Sequence, residues 1–238
     1  MNTGFYKDLD TNFELACEMS ERDFTHEDLL ELLQNGNIPE RQIAALKISK
    51  LNNKEEAKIL MDNLTGCDGK IREAVALKIN QIIFENNSLL YFFTQHSYTP
   101  FADATIDING NICRLVIDSV SVLKADKEFA DKYVEKLFVF INETFNELDK
   151  FVFRDKKYVI NKQLFKLYWC LEALKLFVHE IPVQKLLPVL ERASSEKEYT
   201  IREKVAQILI LLDNPQYDNL KTTLKSDDNY YVREVFKL

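Results

Sequence analysis

The densest run of chemistry-bearing side chains lies between Lys150 and Lys166. There Lys150, Arg154, Lys156, Lys157, Lys162 and Lys166 stand against one acid, Asp155, with Phe151, Phe153, Tyr158 and Phe165 interleaved. Cations alternating with aromatic rings suit an acidic peptide and, less well, a nucleic acid whose bases stack on the rings. Arg154, Lys156, Lys157, Tyr158 and Lys162 therefore form the candidate partner-binding patch. The plain alternative is a solvated connection whose aromatics turn into the core.

Other chemistries find little footing. His26, His96 and His179 are far apart, and none has a second His or a Cys at metal-ligand spacing. His179-Glu180 reads as a helix end, where a cation suits the dipole. Asp107-Ile-Asn-Gly110 resembles the middle of a calcium loop. Counting Gly110 as its sixth position, however, puts Thr105 first and Val116 twelfth, and both anchoring carboxylates are missing. With five glycines in the chain there is no G-x-x-x-x-G-K or G-x-G-x-x-G to cradle a phosphate, and no G-x-S-x-G nucleophile turn. Cys17, Cys67, Cys113 and Cys170 are scattered and form no C-x-x-C, which suits small thiols in a reducing compartment. The expectation is a protein without catalytic residues, metal or cofactor.

Charge narrows the partners. Residues 1–40 hold ten acids against Lys7 and Arg22, a net −8, while the whole chain carries −7, so the remaining residues sum to +1. Neither part has the surplus of Lys and Arg that gives phosphate-backbone affinity, which disfavours nucleic acid. An acidic protein or peptide is the expected partner. No apolar run reaches the length of a membrane helix, and Lys7 is followed by acids and not by an apolar segment, so the reading is cytoplasmic with no membrane association.

The elements that must position these residues come in repeats. Asp68-Gly-Lys-Ile-Arg-Glu-Ala opens an amphipathic helix after a turn, and Arg41-Gln-Ile-Ala-Ala-Leu-Lys-Ile, Ile201-Arg-Glu-Lys-Val-Ala and Val232-Arg-Glu-Val echo it. Arg41 to Arg72 and Arg202 to Arg233 are both 31 residues, and Leu29/Leu60, Leu33/Leu64 and Ala45/Ala76 keep that offset. Matches at one offset imply a repeat array, in which each helix pair buries its apolar face on its neighbours. The expected division is a capping helix over 1–24, regular repeats over 25–96, enlarged irregular repeats over 97–180 and regular repeats over 181–238. In the middle, a long loop from Ser97 to Gly110 interrupts the third pair, with Tyr98 and Phe101 as candidate loop contacts. Arg114 then takes the role of Arg72 at a distance of 42.

An arginine in a helix's first turn meets the positive end of the dipole, at a cost of about 0.3–1 kcal/mol if uncompensated. Four residues before these arginines stand Asn37, Asp68, Glu198 and Asn229. Those capping side chains are the expected partners, so Arg41, Arg72, Arg114, Arg202 and Arg233 read as a structural ladder. A ligand-binding ladder is the alternative.

Two-helix units with an acid followed by V/I-R at the head of the second helix resemble the HEAT and armadillo-like repeats. Asp68-Gly-Lys-Ile-Arg, Glu198-Tyr-Thr-Ile-Arg and Asp228-Asn-Tyr-Tyr-Val-Arg carry the likeness, and the 31-residue spacing is similar to that of phycobilisome-lyase-like HEAT repeats. The resemblance implies an all-α, right-handed α-α superhelix (solenoid) of about six stacked helix pairs forming one domain. It further implies a non-catalytic scaffold or adaptor binding a protein or peptide on its concave face. A chromophore-lyase or chaperone-like subunit, and then a DNA-glycosylase-like repeat protein, are the alternatives. Tyr230, Tyr231 and the sequence Val235-Phe-Lys-Leu238 suggest weak self-association through the C-terminal pair.

Overall fold

The computed structural model describes residues 4–150 and 157–237, and among them all regular structure is helical. Two compact units emerge, Met1–Tyr133 and Val134–Leu238. In the first, α1 (Gly4–Glu21) precedes two short-linked pairs, α2 (His26–Asn35) with α3 (Ile38–Lys47) and α4 (Lys54–Leu64) with α5 (Gly69–Glu85). A third group holds α6 (Leu90–Thr94), α7 (Thr99–Thr105) and α8 (Gly110–Leu123), followed by α9 (Lys127–Asp149). The second unit contains the later part of α9, then α10 (Lys157–Leu174), α11 (Val183–Ser194), α12 (Tyr199–Leu209), α13 (Asp218–Lys225) and α14 (Tyr230–Glu234).

The helices start where short polar side chains can replace the missing turn. Thr25 accepts from the Asp28 N–H while Asp28 accepts from the Thr25 N–H, and Asn37 and Glu40 do the same at α3. Asn53, Asp68, Asn109 and Asn229 accept from backbone N–H groups at α4, α5, α8 and α14. Each pair then buries its apolar stripes on the neighbouring pairs. In the first unit α3, α5 and α8 pack in one row, and α4 packs on α2, α6 and α7 in a second row. In the second unit α10, α12 and α14 form the row of second helices, with α11 and α13 against α12. This two-row, neighbour-only packing is the arrangement of helical repeats.

Polar side chains also tie the rows together. Asn80 of α5 donates to the Leu115 carbonyl of α8 at 3.1 Å, and His26 of α2 pairs with the buried Glu56 of α4 at 2.9 Å.

One expectation is overturned. The stretch from Ser97 to Gly110 is not a long loop, because α7 forms within it, entered through Pro100 in its first turn. Phe101 is fully buried and cannot serve as a surface contact. Its ring meets Phe93 edge-on at 6.3 Å and Phe129 at 5.7 Å, and Phe129 stacks on Tyr133 at 6.0 Å. The Thr105 hydroxyl closes this core against the Tyr133 hydroxyl at 2.6 Å. The segment is thus an internal plug between neighbouring helices.

Phe101→Ala should therefore lower stability by about 3–5 kcal/mol. Ile108→Ala, at a side chain 77% exposed, should change it by less than about 0.5 kcal/mol. Urea unfolding followed by circular dichroism separates the two; equal, small effects would show that the segment is a loose insertion.

Candidate interaction surface

The turn arginines reach across repeats. Arg72 donates from Nε to Asp107 Oδ2 at 2.6 Å and from Nη2 to Asp107 Oδ1 at 3.2 Å, while Nη1 donates to the carbonyls of Gly66 and Cys67. Arg202 repeats the pattern, with Asp227 at 2.7 and 3.0 Å and the carbonyls of Glu196 and Lys197 behind it. A two-point guanidinium–carboxylate contact fixes orientation as well as charge. Each acid lies two residues before the next helix's capping Asn. Its Oδ1 also accepts the N–H of that residue, Asn109 or Asn229, at 2.8 Å.

The partner thus differs from expectation. Asn37, Asp68 and Asn229 cap their own helices, Glu198 makes no side-chain cap, and the arginines bind turn carbonyls and, at two steps, an acid of the following turn.

The ladder also needs a one-residue correction. The arginines occupy the fourth position past the cap, as the bonds from the Arg41, Arg72 and Arg233 N–H groups to Asn37, Asp68 and Asn229 show. In α8 that position is Cys113, whose N–H bonds to Asn109. Arg114 is exposed and its side chain donates to Asn111 Oδ1 at 3.3 Å, within its own helix. The Cys113 thiol donates to the Asp107 carbonyl at 3.1 Å; burial, then the Asp107 charge, pushes it up to about 12, so it stays neutral. At the first step Gly66 stands where the following turns carry Asp107 and Asp227. Arg41 accordingly turns to the carbonyls of Gly36 and Gln34 and reaches the next pair only through Asn63 Oδ1, to which Nη1 donates at 3.4 Å, beside a cleft of about 390 Å³. Arg233 binds the carbonyls of Asp227 and Asp228.

The ladder obeys the repeat, and Lys204 breaks it. Two residues past Arg41, Arg72 and Arg233 stand Ile43, Ala74 and Val235, but two past Arg202 stands Lys204, 8% exposed. Its ammonium meets Glu172 of α10 at 2.5 Å, donates to Gln207 Oε1 at 3.0 Å and lies 4.6 Å from the centre of the Tyr168 ring. Lys175, in the 3₁₀ turn that continues α10, meets the other oxygen of Glu172 at 2.7 Å and reaches Gln207 Oε1 at 3.4 Å. Glu203 accepts from the Gln207 amide at 3.2 Å and so aims Oε1 at both ammoniums.

Burial pulls Lys204 toward neutrality, but the Glu172 hydrogen bond and field overcome it and raise its pKa. Burial likewise favours protonated Glu172, yet Lys175 and Lys204 hold it below the ordinary carboxylate range. The cluster is therefore ionised. Aromatics flank it: Phe165 and Tyr168 both pack edge-on against Trp169, whose indole N–H is buried without a hydrogen-bond partner. Farther along the row, Tyr199 stacks on Tyr231 at 5.9 Å, and Tyr230 and Tyr231 are exposed. Tyr199, Glu203 and Gln207 share one face of α12, which runs out at exposed Ile210 and Leu211.

Of the basic patch expected from sequence, Arg154 and Lys156 lie outside the described residues. Lys157 and Tyr158 fall in the first turn of α10, and Lys162 is exposed one turn before Phe165. Tyr98 is half-buried and lines a polar cleft of about 460 Å³ with His96, Asp126 and Lys132 in the first unit. Lys204, Glu172 and Lys175 were missed from sequence. The signal is a lysine at a repeat position filled elsewhere by Ile43, Ala74, Leu115 and Val235.

No protein-family model matches the chain, and no curated protein matches it in sequence. In structure it is similar to a designed armadillo repeat protein, YIII(Dq)4CqI, at 14% identity and a TM-score of 0.45, covering 90% of this chain and 97% of that one. No helix of the described residues is long and apolar enough to cross a membrane.

The Arg202 hydrogen bond holds Asp227 down to about 2, from an ordinary 3.8. A depressed carboxylate stabilises the fold above its unfolded pKa and loses that contribution as pH falls through the folded one. Stability should therefore drop by about 2 kcal/mol between roughly pH 4 and 2 through this group. In Arg202→Met that acid-dependent loss should shrink and move toward pH 4. Unfolding curves across this range check it; an unchanged acid profile would show the clamp to be energetically idle.

Proposed function

We propose that this protein is a non-catalytic interaction scaffold that holds a protein or peptide on the row of second helices. The observation carrying this reading is the composition of that face in the second unit. There Phe165, Ile210, Leu211, Tyr230 and Tyr231 are exposed along the row that also holds the Glu172–Lys175–Lys204 ion pairs. Accessible aromatics next to oriented charge make up the anchors and the orienting contacts of protein interfaces. Repeat arrays offer such surfaces as broad walls, and stacking leaves the second helices' outer faces for a guest. Cytoplasmic residence, expected from the scattered thiols, belongs to the same proposal.

A photo-crosslinking residue at Tyr230 or Leu211 should capture a discrete protein from a lysate of the source cells. The same probe at Glu191, exposed on α11, should capture none. Mass spectrometry of the adducts reads the result; adducts from Glu191 alone, or from no position, would refute the assignment of the face.

A further inference from the structure

We infer that the Glu172–Lys175–Lys204 cluster anchors an acidic peptide segment, one of whose carboxylates is received by Lys175. This rests on the scaffold reading and names its ligand.

Two ammoniums lean on the single carboxylate of Glu172, so one positive charge is left over. The surplus has a definite place. Lys204 is enclosed, with Glu172, Gln207 and the Tyr168 ring around its ammonium, and its side chain is 10% exposed. Lys175 is the outer of the two lysines, 24% exposed as is Glu172, held at 2.7 Å by Glu172 and only loosely, at 3.4 Å, by Gln207. Lys204 thus neutralises Glu172 from behind and leaves Lys175 charged toward the open side. Glu203 meets the cluster through the Gln207 amide.

An inward lysine that cancels a carboxylate does nothing for the packing of the repeat, since Ile, Ala and Val serve at the equivalent positions. What it does is free the charge of its neighbour. Ammonium at a half-buried site, where water screens poorly, is a strong point contact for a carboxylate. The rim supplies the rest: Phe165, 36% exposed, offers an apolar side to the residues flanking the acid.

A peptide fits better than a nucleic acid. Affinity for a phosphate backbone comes from many Lys and Arg contacts along the strand, and the chain, with 31 Lys and Arg against 38 acids, has no such surplus. A single carboxylate needs only the one opening.

Trp169, the one tryptophan in the chain, packs beside the cluster and reports on it. Hexaglutamate, hexalysine and oligothymidylate are titrated into the full chain at low salt, with Trp169 fluorescence as readout. Hexaglutamate should give a saturable change that hexalysine and oligothymidylate do not. Lys175→Gln should weaken it about tenfold, the equivalent of one lost charge-assisted contact. Lys204→Met should weaken it as much, although Lys204 touches no peptide, because Glu172 then cancels Lys175. Glu172→Gln should strengthen it, whereas a purely structural pair predicts weakening.

Absent hexaglutamate binding, an unchanged Lys175→Gln, or tighter binding of oligothymidylate each overturns the proposal. Lys175→Gln alters a partly exposed side chain and decides the question even if Glu172→Gln fails to fold. Hexaglutamate failing while crosslinks at Tyr230 persist would refute this ligand and leave the scaffold standing; loss of both would refute both.

Discussion

The structure depends on a guanidinium that spans two turns. Helix pairs stacked in rows share apolar faces, and apolar contact alone fixes neither register nor the angle of successive pairs. Arg72 and Arg202 supply the missing direction. One edge of each fork gathers the carbonyls of its own turn and the other takes a carboxylate from the following turn. That carboxylate simultaneously accepts an N–H of the turn it belongs to, so two successive turns are oriented by one side chain. This also resolves the electrostatic oddity of a cation in a helix's first turn. Turn carbonyls and a neighbouring acid outweigh the unfavourable end of the dipole.

The steps where the clamp is altered show what it requires. At the Arg41 step a glycine replaces the acid, and the fork holds the carbonyls of Gly36 and Gln34 with only a long contact, 3.4 Å, to Asn63 of the next pair. At the α8 step a thiol replaces the arginine and reaches only the Asp107 carbonyl. The arginine without its acid still organises its own turn, and the acid without its own arginine partner downstream is still held by the one upstream. The clamp is therefore a chain of local devices and not a single cooperative network, as nearest-neighbour stacking in repeat arrays would have it.

Much of this architecture is legible in the chain. A constant offset of 31, capping residues at each helix start and a near absence of Gly and Pro inside the helices give the pairs at both ends without any structure. The middle misleads for identifiable reasons. Arg114 attracts the eye because it is an arginine, while the register is set by the cap, and aligning Asn109 on Asp68 puts Cys113 in the frame. Thr99 to Thr105 looks like a loop because seven residues with Pro100 carry too little periodicity to show a helix; only the packing of Phe101 reveals it. The side-chain pairing of Glu172 with Lys204 joins residues 32 apart on different helices, a distance no local pattern expresses.

A repeat array makes its own control experiment, and this is what gives Lys204 its weight. Each position is tried several times in one molecule under the same packing demands. Where all copies agree, the fold accounts for the residue; where one departs toward a costlier choice, packing does not. A lysine drawn into a helix interface must lose hydration and then recover it from a carboxylate, an amide and a ring, an exchange that on balance adds little stability over a well-packed aliphatic chain. Its effect is instead to fix where charge sits. Glu172 is satisfied from the inside, Lys175 remains charged on the outside, and the aromatics beside it stay accessible. The same row of second helices that carries the inter-repeat clamp thus also carries, in the turn that continues α10, a second ammonium on the one carboxylate of Glu172.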